Sequence, residues 1–220
     1  PEGSVVSFNS HHCLLKNSAI IDYNPPAGEI QYYWVFFSGD SNTVDHCYFK
    51  GKNNLGPVVG NAREGSRHNA VTSCHFKNIP FHKANGREII RVWGYGQNDE
   101  LGQDGAFFTV EGNLFDHADG EGSETISLKS NRNVVRNNKL VATRGGITIR
   151  RGSFNTVTHN VILGQGVDHA HGLRIAGQHN VVTDNYVSGC DYGIAISAGE
   201  YVRGSLTPDY KPHAAEEGSG

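Results

Sequence analysis

Four segments carry side chains able to hold a cation, move a proton or meet a negative charge. They begin Asn85-Gly-Arg-Glu, Asp119-Gly-Glu-Gly-Ser-Glu-Thr-Ile-Ser-Leu-Lys, Gly145-Gly-Ile-Thr-Ile-Arg-Arg and Gly172-Leu-Arg-Ile. Among them stand Asn85, Glu121, Glu124, Lys129, Arg150 and Arg174. Carboxylates and amides are the oxygen ligands that a hard divalent cation takes. A lysine acts as a general base where nearby cations or desolvation lower its pKa. A cation or an arginine on a carboxylate stabilises charge that develops beside it. Singly, each residue has a plainer reading: Glu121 and Glu124 as solvated turn carboxylates, Lys129 as an exposed strand lysine, Arg150 and Arg151 as charges guarding a sheet edge. Their joint order along the chain favours chemistry.

A repeat must position them. Asn42-Thr-Val, Asn69-Ala-Val, Asn133-Val-Val, Asn155-Thr-Val and Asn180-Val-Val are one phrase. Five residues after each phrase begins comes Cys47, Cys74, Asn138, Asn160 or Asn185. Imperfect copies run from Phe8 to Cys13 and from Phe108 to Asn113. The last three clear copies lie 22 and 25 residues apart. Such a period, with Val-rich triplets and an Asn rung, marks a solenoid. The Leu lattice of leucine-rich repeats is missing, and no 3.6-residue pattern persists. The expected fold is all-β: a single-domain parallel β-helix whose coils stack at about 4.8 Å. Asn113, Asn138, Asn160 and Asn185 would form an inward ladder, continued by Cys13, Cys47 and Cys74 as free, buried residues. No CxxC pair suggests zinc. The twelve histidines offer His11-His12 and His169-x-His171 but no assembled third ligand.

The rungs align the reactive segments. Asn85 follows Cys74 by 11 residues, Glu124 follows Asn113 by 11, Arg150 follows Asn138 by 12 and Arg174 follows Asn160 by 14. Similar offsets predict one face on four successive coils. Strand parity places Arg150 away from Ile147 and Ile149. Glu124 and Lys129 differ in parity, so a bend must separate them if both serve one site. Trp34, Trp93 and Tyr95 could stack on sugar rings, or simply pack.

A formal charge of −3 gives no global attraction to a polyanion, so such a ligand would need a local basic patch. Basic residues are scattered, which argues against nucleic acid. No run is apolar enough to span a membrane. The sequence holds no methionine and begins inside the patterned region, so a trimmed or fragmentary form is expected. Residues 1–200 read as the β-helix domain and 201–220 as a C-terminal loop or tail.

Several phrases resemble polysaccharide lyase family 6, the family of alginate lyases and chondroitinase B. They are NGREIIRV from Asn85, VEGNLFDHADGEGSETISLKS from Val110, GGITIRRGSFNTVTHNVILGQGVDH from Gly145 and GLRIAGQHNVVTDNYV from Gly172. YYWVFFSGDSNTVDHCYFKGKNNLGP from Tyr32 joins them. The resemblance covers about Ser7 to Ala198 and implies a right-handed parallel β-helix, with the family's usual N-terminal coils and cap absent. It implies Lys129 as general base, Arg150 as general acid, Arg174 on the substrate carboxylate, and Asn85, Glu121 and Glu124 as calcium ligands. One departure stands out: the family writes Glu-x-Glu, and this chain has Glu121-Gly-Ser-Glu124, one residue longer. Arginine is a poor proton donor on its intrinsic pKa, so Arg150 could instead stabilise the leaving oxygen while water supplies the proton.

The expected function is β-eliminative cleavage of alginate, in an extracellular or periplasmic setting, with an acidic polysaccharide as partner. Alternatives are a dermatan sulfate lyase on the same site and a non-catalytic, sugar-binding β-helix fragment. A glycoside hydrolase using paired carboxylates is weaker, because Lys129 and Arg150 would be idle.

Overall fold

Strands of three to six residues follow one another with tight corners between them. The computed structural model describes residues 3–25, 31–98, 100–197, 199–201 and 210–212. Among the described residues, three parallel sheets run from Gly3 to Ser197. The longest has eight strands: Gly3–Phe8, Tyr32–Phe37, Val59–Asn61, Ile90–Trp93, Glu124–Lys129, Gly146–Arg151, His171–Ala176 and Tyr192–Ser197. The other two have seven strands each. Each coil gives one strand to each sheet in turn, the parallel β-helix that the repeat predicts, with the right hand that the resemblance implies.

Inward positions form apolar rows along the axis. Val44, Val71, Val110, Val135, Val157 and Val182 are register partners on the second sheet. On the third, Phe49, Phe76 and Phe115 stack with ring centroids 5.0 and 4.8 Å apart, close to the spacing of adjacent strands. Ile90, Ile126, Ile147 and Leu173 line the inside of the longest sheet and are fully buried.

Two asparagine ladders make the corners. In the first, the Oδ1 atoms of Asn42, Asn69, Asn133, Asn155 and Asn180 accept backbone N–H groups from the preceding coil, at 2.8–3.0 Å. In the second, Asn113, Asn138, Asn160 and Asn185 do the same for Cys74, Asn113, Asn138 and Asn160. Cys47 and Cys74 continue that second ladder, with the Cys47 N–H 3.4 Å from the Cys74 sulfur. Cys13 does not join it: its carbonyl accepts from Thr43 N and its N–H donates to Asn42, so it stands in the first ladder. Ser18, whose carbonyl accepts from Tyr48 N, takes the corresponding place in the second. The five-residue offset is kept, and its start shifts from Phe8 to Cys13. All four cysteines are free thiols.

The residue before a ladder position turns the chain with a left-handed backbone, as Asn17, His46, Ser73, Asn137, His159 and Asp184 do. Asn, Asp and His tolerate that conformation better than most residues. Seven of the twelve histidines have positive φ, so corner geometry accounts for most of the histidine content. In the expected tail, Gly199–Tyr201 pairs antiparallel with Tyr210–Pro212, and the rest of 201–220 lies outside the described residues.

Candidate active site

The outer face of the longest sheet carries the reactive residues. Two irregularities in the pairing of Glu124–Lys129 with Gly146–Arg151 supply the bend that parity requires. Glu124 pairs with Gly146 and Ile126 with Ile147, so Thr125 is skipped; Leu128 pairs with Ile149 and Lys129 with Arg151, so Arg150 is skipped. Ile126 and Leu128 stay in the core while Glu124 and Lys129 both serve the outer face. A bulge re-aims side chains in this way.

Lys129 is buried, and its Nζ lies 2.7 Å from Glu88 Oε1. The other Glu88 oxygen is 3.4 Å from Arg91 Nη1. Burial pushes the Glu88 carboxyl up, but Lys129 and Arg91 outweigh it and hold the group below its ordinary range. Arg91 also bonds the Tyr33 hydroxyl and, at 3.1 Å, Gln31 Oε1. The Lys129 ammonium lies 4.8 Å from the centre of the Trp93 ring.

Glu88, Glu121 and Glu124 offer carboxylate oxygens that all fall within 4.8 Å of one another. Glu121 stands on the turn before Glu124, where Gly120 and Gly122 have φ of +57° and +80°. A side chain at Gly120 would also overlap the Arg87 carbonyl, so glycine is required there. Glu121 Oε2 accepts from the N–H groups of Gly86 and Arg87 at 2.7 and 3.2 Å. Burial, then repulsion from Glu88 and Glu124, pushes its carboxyl up to about 7. Glu124 is buried; its Oε1 lies 3.7 Å from Arg174 Nη1, and its Oε2 is sealed with no partner among the described residues.

Two adjoining clefts open over these groups. One, of about 290 Å³, is lined by Arg63, Asn85, Arg91, Trp93, Lys129, Arg150 and Arg151, among others. The other, of about 320 Å³, is lined by Lys83, Asn85, Glu121, Ser123, Glu124, Arg150 and Arg174, among others. Asn85 and Arg150 border both. All six residues singled out from the sequence therefore meet on one surface. Glu88 was missed, although a carboxylate inside the buried run from Gly86 to Val92 signals a partnered charge. Arg63 and Arg91 were missed as well. Of the aromatic candidates, Trp34 is fully buried, Trp93 borders the cleft and Tyr95 is exposed. No histidine joins the carboxylate cluster among the described residues.

Fold and site define a parallel β-helix with a basic groove that holds a carboxylate cluster. Residues 2–197 match the family model described as chondroitinase B. A polysaccharide lyase of family 6 from Pseudopedobacter saltans, Pedsa3628, is 50% identical with a TM-score of 0.88, over 96% of this chain and 49% of that one. The family 6 alginate lyase AlyGC is 31% identical with a TM-score of 0.81, over 90% of this chain and 29% of that one. A mannuronic acid specific family 6 lyase from human gut microbiota is 29% identical with a TM-score of 0.80, over 94% and 48%. No curated protein matches the chain. The chain belongs to polysaccharide lyase family 6, and it spans at most about half the length of these solved relatives.

Proposed function

We propose that the chain carries the reaction centre of a lyase that cleaves alginate, a 4-linked uronate polymer, by β-elimination. The observation that carries the reading is the Lys129 ammonium in its buried contact with Glu88, beside a carboxylate cluster and the guanidinium groups of Arg91, Arg150 and Arg174. In this reading Lys129 first gives up its own proton to solvent, and the neutral Nζ then takes the proton from the carbon next to the uronate carboxylate. The electron pair forms a carbon–carbon double bond, and the bond to the leaving sugar oxygen breaks. Arg150 stabilises that oxygen while water delivers its proton. Arg174 holds the carboxylate.

The all-oxygen donor set fits calcium. A buried Glu124 Oε2 with no hydrogen-bond partner among the described residues, and a Glu121 carboxyl pushed up to about 7 by burial and its carboxylate neighbours, fit a cation among them. Asn85, Glu121 and Glu124 would hold the ion, with Glu88 alongside. When bound, calcium supplies positive charge that stabilises the enolate-like transition state.

Two relatives favour alginate, since one is an alginate lyase and the other a mannuronic acid specific lyase. Dermatan sulfate is the second reading, favoured by the chondroitinase B family model and by the arginines of the groove. Either polymer implies work outside the cytoplasm. The test is the ultraviolet absorbance of the conjugated double bond on mixing with each polymer. A rise with alginate is expected. A rise with dermatan sulfate alone would move the substrate, and none with either would leave a sugar-binding fragment.

A further inference from the structure

The basic groove continues beyond Lys129 toward the N-terminal coils. A cavity of about 540 Å³, lined by Gln31, Tyr33, Asn61, Arg63, Arg91 and Trp93 among others, adjoins the Lys129 cleft and shares four of these residues with it: Gln31, Arg63, Arg91 and Trp93. Trp93 lines both. Arg63 lies over the Trp93 ring with its guanidinium carbon 4.4 Å from the centroid, and Lys129 Nζ is 4.8 Å from the same centroid. Trp93 is the register partner of Lys129 on the neighbouring strand. Arg63 comes one coil earlier still, just after the strand Val59–Asn61.

The ring is fixed from beneath. Asn61 is buried, and its side-chain amide clamps the Trp93 backbone: Oδ1 accepts from Trp93 N at 2.8 Å and Nδ2 donates to Trp93 O at 2.9 Å. One amide thus holds both backbone groups of Trp93, which fixes where the indole starts. A guanidinium stacked on a fixed ring keeps its plane, and its forked N–H edge remains available for a carboxylate. Among the described residues no carboxylate comes within ion-pairing distance of Arg63. Arg91, in contrast, already contacts Glu88 and Tyr33.

The geometry points to Arg63 as a specificity-determining residue: stacked on Trp93, it binds the carboxylate of a uronate unit beyond the one attacked at Lys129. Arg63 and Lys129 start from coils two apart, but their charged ends lie 4.4 and 4.8 Å from one ring centroid, so Arg63 reaches the uronate unit next to the one attacked, and an oligomer lacking that unit cannot bridge the two. The proposal rests on the acidic-polymer reading above and adds a length dependence to it. Lysine is a poor substitute, because an ammonium lacks the planar fork and stacks less well.

The test compares the unsubstituted protein with Arg63→Ala and Arg63→Lys on saturated oligouronates of increasing length. Initial rates give kcat and KM, and stopped-flow fluorescence before turnover follows Trp93, since Trp34 is fully buried. Arg63→Ala is expected to raise KM about tenfold, ~1.4 kcal/mol, on oligomers long enough to reach it. Its effect on KM grows with oligomer length and exceeds any change in kcat, and it removes the length dependence of the Trp93 signal. Arg63→Lys restores only part of the affinity. Unchanged KM at every length in Arg63→Ala, with turnover intact, overturns this proposal and leaves the lyase reading standing. Neither turnover nor binding by the unsubstituted protein overturns both.

Discussion

The Lys129 ammonium and the Glu88 carboxylate form a 2.7 Å ion pair whose side chains are only 6% and 0% exposed. Truncating one member of such a pair leaves the other buried with less compensation. Lys129→Ala leaves Glu88 with Arg91 alone, so two effects should separate. Turnover, read as ultraviolet absorbance, is expected to vanish. Stability, read from a urea unfolding midpoint, is expected to fall by the order of 3 kcal/mol. Adding Glu88→Gln removes the stranded charge and should recover most of the stability but none of the turnover. Retained activity in Lys129→Ala would remove that residue as base.

Arg150 sits at the second pairing irregularity and borders both clefts. A group that stabilises a leaving oxygen acts mainly in the transition state. Arg150→Ala should therefore lower kcat by about 10²–10³-fold, as loss of a comparable oxyanion donor does, with a much smaller change in KM. A change confined to KM would make Arg150 a substrate-binding residue instead.

Glu121 gives a pH signature independent of turnover. Its folded-state carboxyl is pushed up to about 7 from an ordinary value of 4.5. Between those values the folded chain holds a proton that the unfolded chain has lost, so stability falls as pH rises across that window. With a chelator present, the melting temperature should drop by a few degrees from the bottom to the top of the window. Glu121→Gln should flatten that slope. Calcium should raise the melting temperature most near neutral pH, where the ion replaces the proton. A calcium effect that is absent, or that survives in full in Glu121→Gln, would take Glu121 out of the cation site.

The solenoid was legible because its ladders recur. Asn138, Asn160 and Asn185 sit at a constant offset from their Asn-x-Val phrases, and a stacked coil imposes that period. The bend between Glu124 and Lys129 was legible from parity, because inward Ile126 and Leu128 leave no other way for both to face one groove. Glu88 was not legible as a partner of Lys129. The contact spans 41 residues and arises from the meeting of coils, which no local pattern encodes. The place of Cys13 was misread because Phe8 mimics the apolar start of a phrase. The hydrogen bonds from Cys13 N to Asn42 and from Thr43 N to the Cys13 carbonyl show which ladder it serves.

The ladder itself can be tested by exchanging its two kinds of rung. Asn138 is buried; its Oδ1 accepts from Asn113 N and its Nδ2 donates to the carbonyls of Val110 and Arg136 and to Asn160 Oδ1. Asn138→Ala strands the Asn113 N–H and leaves a gap, so it should cost about 2–4 kcal/mol, the sum of one unsatisfied buried donor and the lost bonds. Cys74 occupies the same ladder two coils away, and its own N–H donates to Asn113 Oδ1 at 2.8 Å. Its sulfur offers the Cys47 N–H only a weak acceptor at 3.4 Å. Cys74→Asn supplies a stronger oxygen acceptor there and a donor toward the Val44 carbonyl, which the thiol now faces at 3.6 Å. It should be neutral or stabilising by up to about 1 kcal/mol in urea unfolding. A loss as large as that of Asn138→Ala would mean that the N-terminal coils are too tightly packed for an amide, and that the cysteines there are a steric requirement.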